Sequence, residues 1–489
     1  MGILSVRNQH EGMKQQRKVS MRGAAVIQFA SKYTSLFAQL FITAILARML
    51  PPADFGTLAI ILVFLNFFIP FADMGIGAAI IQYRDLDDHD YGALFAFSIF
   101  FALLLTVLFC IAAVPISLFY NNADLVPLCL LGSLSLLFAT LNMVPNGLLL
   151  KDQRFISIGV RLFVVTIVGG VIAIIMAFAG WGVYALVWHN IIAGLITFLW
   201  NYLSRPIRHL TIHFMAPLKK VFSYSVFQFG SSMVNYFSTN LPNLVIGKAF
   251  NEVALGFYDK AYRLTTYPLN GISNVIISVI QPYMAKHQDD LKALFSYWFK
   301  IAKALSLVGV PIAVIFFCAP EEIVGIMYGD QWGSAVPLLQ LLSLCIYFQM
   351  VNSVSGAFFL SAGKADLLFR ASCASTILTV CGLAAGIVLG SLEAVALCLS
   401  IAFCLHVIPN AYYLLNRTLH EGYQCIVKFL PEIGIGLVAG AACFLLAPFM
   451  PDNIVLSLLC KMLVVLAIVM LGYLVTRQYG YIKVILRKG

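Results

Sequence analysis

Long apolar segments of about 20 residues or more recur from one end of this chain to the other, separated by short polar breaks. They cover 24–50, 56–82, 92–119, 125–150, 155–179, 181–203, 223–250, 254–284, 292–318, 333–361, 366–390, 392–416, 428–448 and 454–477, fourteen in all. Each is long enough for a helix to cross the hydrocarbon core of a bilayer. Of the 489 residues, 61% are hydrophobic and 11% are charged, whereas a soluble domain is about 25% charged. Such a chain has too few polar groups to cover a surface facing water. The expected fold is an all-α integral membrane protein with about 14 transmembrane helices. Soluble enzymes, nucleic-acid binders and disordered chains are excluded.

Lysine and arginine number 31 against 21 acids, a net charge of +10. The basic residues are not spread evenly. If residues 1–23, with Lys14, Arg17, Lys18 and Arg22, form a cytoplasmic basic N-terminus, the even-numbered connections are cytoplasmic too. Those connections hold Lys151, Arg154, Arg205, Arg208, Lys219, Lys220, Lys286, Lys364, Arg417 and Lys428. The opposite side is dominated by acids such as Asp54, Asp124, Glu321, Glu322, Asp330 and Asp452. A multi-pass protein with both termini cytoplasmic is expected, with residues 478–489 as the tail. The stretch Ala24 to Leu50 exceeds the length of a signal-peptide core and reads as a retained helix.

The chain also repeats itself. A shift of 200 places Val26, Gln28, Phe29, Ser31, Phe37 and Gly56 on Val226, Gln228, Phe229, Ser231, Phe237 and Gly256, and Arg48 on Lys248. At a shift of 210, Val126-Pro127-Leu128 meets Val336-Pro337-Leu338, and Asn142 meets Asn352. Each unit holds six helices, an even number, so the halves enter the membrane from the same side as parallel repeats. The expected plan is a six-helix lobe at 24–203, a cytoplasmic linker at 204–222, a second six-helix lobe at 223–416, and two extra C-terminal helices within 428–477.

Polar stripes mark the faces that avoid lipid. The first segment carries Gln28, Lys32, Ser35 and Gln39 on one helical face, and the seventh carries Gln228, Ser232, Asn235 and Thr239 at the same repeat positions. The eighth adds Asp259, Arg263, Thr266, Asn270 and Ser273, and the second offers Asn66 and Asp73. These faces point into protein or water, since a polar stripe toward lipid is costly. Interhelical hydrogen bonding is the structural alternative for the uncharged members. Lys32 lies about nine residues into its segment, too deep to snorkel, and marks a substrate pathway. Arg263 has Asp259 one turn away as a partner. Arg48 and Lys248 add cations in matching positions. His189 and His406 lie deep and are of a type that titrates near neutral pH, so with Asp73 and Asp259 they are candidates for ion coupling, the alternative for each histidine being a satisfied packing role. Arg161, Lys300, Lys303 and Arg370 lie close enough to the cytoplasmic side to snorkel and read as structural.

Other chemistry has no foothold. There is no phosphate-binding G-x-x-x-x-G-K-[ST] loop, no H-E-x-x-H and no G-x-S-x-G. Ten of eleven cysteines sit in apolar runs, Cys425 in a polar connection, and no C-x-x-C occurs. No metal, cofactor or ATP motor is expected, and a secondary transporter remains.

LARMLPPADFGTLAI (Leu46 to Ile60), FADMGIGAAIIQ (Phe71 to Gln82) and ALGFYDKAYRLTTYPLNGISNVIISVIQPYMAK (Ala254 to Lys286) resemble the polysaccharide transporter family. These are the Wzx-type flippases of the MOP exporter superfamily, and the third stretch is similar to the colanic-acid-exporter branch. The resemblance implies a bacterial inner-membrane flippase. Its cargo is an undecaprenyl-pyrophosphate-linked oligosaccharide, and a polysaccharide polymerase and a chain-length regulator are its expected partners. It also implies lobe rocking around a cationic cavity, with Lys32 and Arg263 on the helices where such cations belong. A drug/cation antiporter of the same superfamily would instead place acids deep in the first lobe. A membrane glycosyltransferase or ligase would need a large outer loop.

Overall fold

The computed structural model describes residues 21–83, 86–207, 239–284 and 290–478, with single positions between 209 and 237, and the side-chain surroundings of all but 21–30, 73, 78 and 274–283 among them. No strand occurs among the described residues. In chain order the principal helices are α1 (Met21–Met49), α2 (Pro52–Asp73), α3 (Asp88–Tyr120), α4 (Leu125–Lys151), α5 (Phe155–Phe178) and α6 (Val183–Ser204). There follow α7 (described over 239–249), α8 (Glu252–Met284), α9 (Leu291–Cys318) and the bent pair α10 (Ala335–Ser343 with Ile346–Ser361). The last four are α11 (Ala365–Val388), α12 (Leu392–Thr418), α13 (Gln424–Phe449) and α14 (Ile454–Val475). Ten of these are long and apolar enough to cross a membrane, and eleven with the bent pair, among the described residues. Helices α1 and α8 have the length but carry the polar stripes, and they stand outside that set.

Local chemistry sets the boundaries. The carboxylate of Asp87 caps α3 by accepting from the Asp90 N–H at 2.8 Å, Asp290 caps α9, Ser391 caps α12 and Asn453 caps α14. Proline at the first position opens α2, where no amide donor is needed.

Helices α1 to α6 pack on one another, as do α8 to α12, and α2 crosses α8 between the two bundles. The crossing is the closest approach of the two repeats. A β-carbon on Gly56 would stand 1.7 Å from the carbonyl oxygen of Glu252, and one on Gly256 would stand 2.1 Å from that of Pro52. Each contact is the other shifted by 200 residues, as in an interface built around a two-fold axis. Residues that the shift of 200 pairs therefore meet in one reciprocal contact.

The same reciprocity holds for the cations flanking the crossing. Arg48 at the end of α1 donates from Nη2 to the Ile326 carbonyl at 2.7 Å, in the last turn of the short helix Pro320–Met327 of the second bundle. Lys248 of α7 donates to the Phe119 carbonyl in the last turn of α3 in the first bundle. Each bundle therefore lends a cation to the negative helix end of the other. Trp332, fully buried, inserts from the second bundle and donates its indole N–H to the Ala47 carbonyl at 2.7 Å. Its ring packs edge-on against Phe55 and Phe257. Asn122 bonds Glu252 at 2.9 Å, and Tyr120 donates to the Leu244 carbonyl at 3.0 Å. One end of the molecule is closed by these contacts.

Helices α13 and α14 are fastened to the second bundle by ion pairs. Lys303 of α9 pairs with Glu432 of α13, both side chains 0% exposed, and also donates to the Lys428 carbonyl. Glu322 pairs with Lys461 of α14 and accepts from Ser457 at 2.6 Å. Lys303 does not snorkel, because a carboxylate and a carbonyl inside the protein satisfy it. Arg161 is likewise held by the Asn201 and Asn146 amide oxygens at 2.6 and 3.2 Å, whereas Lys300 and Arg370 are exposed. Cys425, placed by the sequence in a polar connection, is buried at the start of α13.

Two predictions follow from this packing. Glu432→Ala leaves Lys303 as an uncompensated buried charge and costs about 3–5 kcal/mol; thermal unfolding in detergent measures it, and Lys303→Met combined with Glu432→Leu recovers most of the loss. Arg48→Ala with Lys248→Ala removes two bonds of about 1 kcal/mol each and shifts the open-to-closed ratio at this end by roughly thirtyfold. Unnatural-amino-acid spin labels at the exposed Asp124 and Asp330 then gain a longer-distance population.

Candidate functional site

Helix α1 is the clearest guide to where water enters. Its Ser31 packs on Gly159 and its Ile42 on Gly170, so one side of α1 lies against α5. Tyr33 donates to the Gly271 carbonyl of α8 at 3.1 Å, and Leu36 touches Gly271, so another side faces the second bundle. Phe37 and Phe41 are 66% and 69% exposed. Phe41 is nine residues beyond Lys32, half a turn around the helix axis, and Phe37 is 140° away by the same 100° step. The two rings make a lipid-facing edge, and Lys32 points the other way, into the angle between α5 and α8.

Lys32 is exposed and has neither a hydrogen bond nor an ion pair among the described residues. Gln39, two turns on, is exposed on the same face. Ser35, the remaining member of that stripe, is buried toward α5. A free ammonium at this depth that is turned from the lipid edge belongs to a hydrated interior.

On α8, Arg263 donates from Nε to Asp259 Oδ2 at 2.7 Å; the guanidinium side chain is 42% exposed while the carboxylate is buried. Asn243 of α7 adds a bond to the other oxygen of Asp259 at 3.4 Å. The pair is neutral overall and presents its positive half outward. Asn270 is exposed on the same helix, and Ser273 accepts from Ser353 of the α10 region at 2.8 Å. Asn66 of α2 donates to Asn240 of α7 at 3.4 Å, so part of the polar complement does serve interhelical bonding.

The remaining candidates separate by setting. Arg48 and Lys248 sit at the closed end as the cross-bundle caps, away from the Lys32 level. His189 packs on Gly169 of α5 inside the first bundle. His406 lines a cavity and lies 3.1 Å from Thr379 Oγ1. The side chains of Gln28 and Asp73, and Gln228 and Asn235 altogether, lie outside the described residues. Among the described residues no cluster of His, Cys, Asp or Glu has the geometry of a metal site.

Two features escaped the sequence reading. Lys260, which the stripes did not single out, is buried at the crossing with its ammonium 3.9 Å from the centre of the Phe55 ring. Glu432 gave no sign of its partner, since Lys303 lies 129 positions earlier.

Known proteins share both sequence and shape with this chain. The teichuronic acid biosynthesis protein TuaB of Bacillus subtilis (strain 168) is 25% identical over 392 residues, 75% of this chain and 77% of that protein. The lipopolysaccharide biosynthesis protein WzxC of Escherichia coli (strain K12) is 25% identical over 373 residues, 75% of this chain and 74% of its own. Among solved structures, the lipid II flippase MurJ in an inward closed conformation superposes with a TM-score of 0.76 at 16% identity, covering 93% of this chain and 99% of that one. An inward-facing multidrug resistance MATE family transporter of the MOP superfamily gives 0.60 at 16% identity, covering 86% and 98%. The fold is that of the MOP-superfamily transporters. The family described as polysaccharide biosynthesis protein matches residues 45–337, from the first cross-bundle cation into α10. With more than half of its length so matched, this chain belongs to the polysaccharide biosynthesis protein family.

Proposed function

We propose that this chain is a flippase that carries undecaprenyl-pyrophosphate-linked oligosaccharide repeat units across the bacterial inner membrane by alternating access. The observation that carries the reading is Lys32: an unpaired cation at membrane depth, turned from lipid, between two bundles latched at one end. A sugar headgroup and a pyrophosphate do not cross hydrocarbon unaided, because each unpaired polar group costs several kcal/mol there. A wet cleft between the bundles takes the place of bulk water. Lys32, and Arg263 beside it in function, draw the pyrophosphate by charge, strengthened by the low dielectric around them. The polyprenyl tail stays in lipid.

In this reading all fourteen helices cross the membrane and both termini are cytoplasmic. The charge pattern then makes the latched end the outer one, and cargo enters from the cytoplasmic side. The titratable His406, on a cavity wall, is the best placed of the coupling candidates; Asp259 is already engaged by Arg263. The product, a lipid-linked repeat unit in the outer leaflet, is the substrate that a polysaccharide polymerase with its chain-length regulator consumes. WzxC and TuaB, named for lipopolysaccharide and teichuronic acid biosynthesis, support the polysaccharide assignment. The likeness to multidrug transporters is one of fold, and a deep lysine repels the cations such antiporters bind.

Lys32→Ala lowers surface polysaccharide by about tenfold or more, equivalent to about 1.4 kcal/mol, and lipid-linked intermediates accumulate; Lys32→Arg retains export. Arg263→Ala acts in the same direction. Normal surface polysaccharide in both alanine variants, by quantitative sugar analysis of whole cells, removes these cations from the mechanism.

A further inference from the structure

One polar cluster of the first bundle has a different counterpart in the second. At a shift of 210, α5 and α11 correspond: both run 24 residues, and both end two positions before a glycine of positive φ, Gly180 and Gly390. In the first bundle Arg161 of α5 fills the space between α4, α5 and α6. It donates to Asn201 and Asn146, and Asn201 donates in turn to Asn142 at 2.8 Å. At that shift Arg161 falls on Ala371 next to Arg370, Asn142 on Asn352, Asn146 on Gly356, and Asn201 on Ala411 next to Asn410. In the second bundle Arg370 is exposed and Ala371 is buried, so among the described residues no guanidinium bridges Asn352 and Asn410 as Arg161 bridges Asn146 and Asn201. There Asn352 and Asn410 line a cavity of about 600 Å³ that runs between α10, α11 and α12 and reaches α7 and α8.

The wall of this cavity is polar and carries no Asp, Glu, Lys or Arg. Besides the two asparagines it presents Ser375, Thr379 and His406, with Asn410 donating to Ser375 at 3.4 Å. Hydroxyls, amides and an imidazole offer donors and acceptors in comparable number. Tyr262, Phe369 and Phe403 add flat apolar faces, and Tyr262 is the chain neighbour of Arg263. A phosphate or a metal ion finds no opposite charge on these walls, and a purely apolar ligand would strand the amides unpaired. Mixed hydroxyl bonding edged by aromatic rings is the chemistry that recognises a neutral sugar, whose hydroxyls both give and accept and whose ring C–H faces are apolar.

We propose that this cavity in the second bundle is a carbohydrate site, which takes uncharged sugar rings of the cargo while Lys32 takes the pyrophosphate. The assignment rests on the flippase reading. It gives the two parts of the headgroup separate places: the charge to Lys32 and Arg263, the sugar to the walls of this cavity. Substitutions around Asn352, Thr379 and Asn410 then set which repeat units are accepted.

The test compares two probes on the purified full-length protein in nanodiscs, by native mass spectrometry. One is undecaprenyl pyrophosphate alone, and the other is the undecaprenyl-pyrophosphate-linked oligosaccharide fraction extracted from producing cells. The wild-type chain prefers the sugar-bearing lipid by about tenfold or more. Asn352→Leu, and the near-isosteric Thr379→Val with Asn410→Leu, each bring that ratio close to one. An unchanged ratio in both, or a wild-type ratio near one, overturns the sugar site and leaves the flippase reading standing. A wild-type chain that binds neither lipid overturns the flippase reading, and the sugar site with it.

Discussion

Two helices can bring their backbones into contact only where neither carries a side chain, and that condition is met once between the bundles described here. Gly56 and Gly256 let α2 and α8 touch carbonyl to Cα, at distances that a single methyl group would forbid. Everything at the closed end is arranged around this approach. The cations Arg48 and Lys248 reach helix ends that would otherwise lie too far away, and Trp332 finds a slot between α1, α2 and α8. In a bilayer, where lipid tails are as apolar as leucine, close packing of small residues and buried hydrogen bonds replace the hydrophobic effect as the force between helices. Such contacts are numerous and individually modest, which suits a junction that has to part and reform.

The charges of the molecule divide into those that are spent on structure and those that are left over. Lys303, Lys461, Arg161 and Lys260 each have a carboxylate, an amide or an aromatic face built for them. Arg263 has Asp259. Lys32 alone among the stripe cations discussed here stands exposed and unpaired. A charge kept at membrane depth without a partner is expensive, and its retention makes sense only if a partner arrives from elsewhere.

Much of the architecture was legible in the residues. Apolar length gave the helices, and nine of the segments reappear with bounds within a few residues of those read from hydropathy, while the segment read as 56–82 breaks at Met74 and Gly75. The shift of 200 that aligned Gly56 with Gly256 turned out to mark the pair that meets in space. What the sequence concealed was pairing at a distance. Nothing in the run around Glu432 announces Lys303, and a helical stripe does not say whether Ser35 is buried while its neighbour Lys32 is wet. Periodicity defines a face of one helix; only the packing of the next helix decides what that face meets. The cavity beside His406 was hidden for a related reason. Its wall is drawn from α7, α8, α10, α11 and α12, stretches far apart in the chain that no single run displays together.

The fastening of α13 and α14 has a mechanical side. Lys303 with Glu432 and Glu322 with Lys461 grip the terminal hairpin near the start of each of its helices. A hairpin held at two separated points cannot slide or pivot on the body that holds it. Together the two pairs hold both of these helices to the body that contains α8 and α9. A load on the hairpin is therefore passed on to α9 and to the Pro320–Met327 helix instead of being absorbed by sliding.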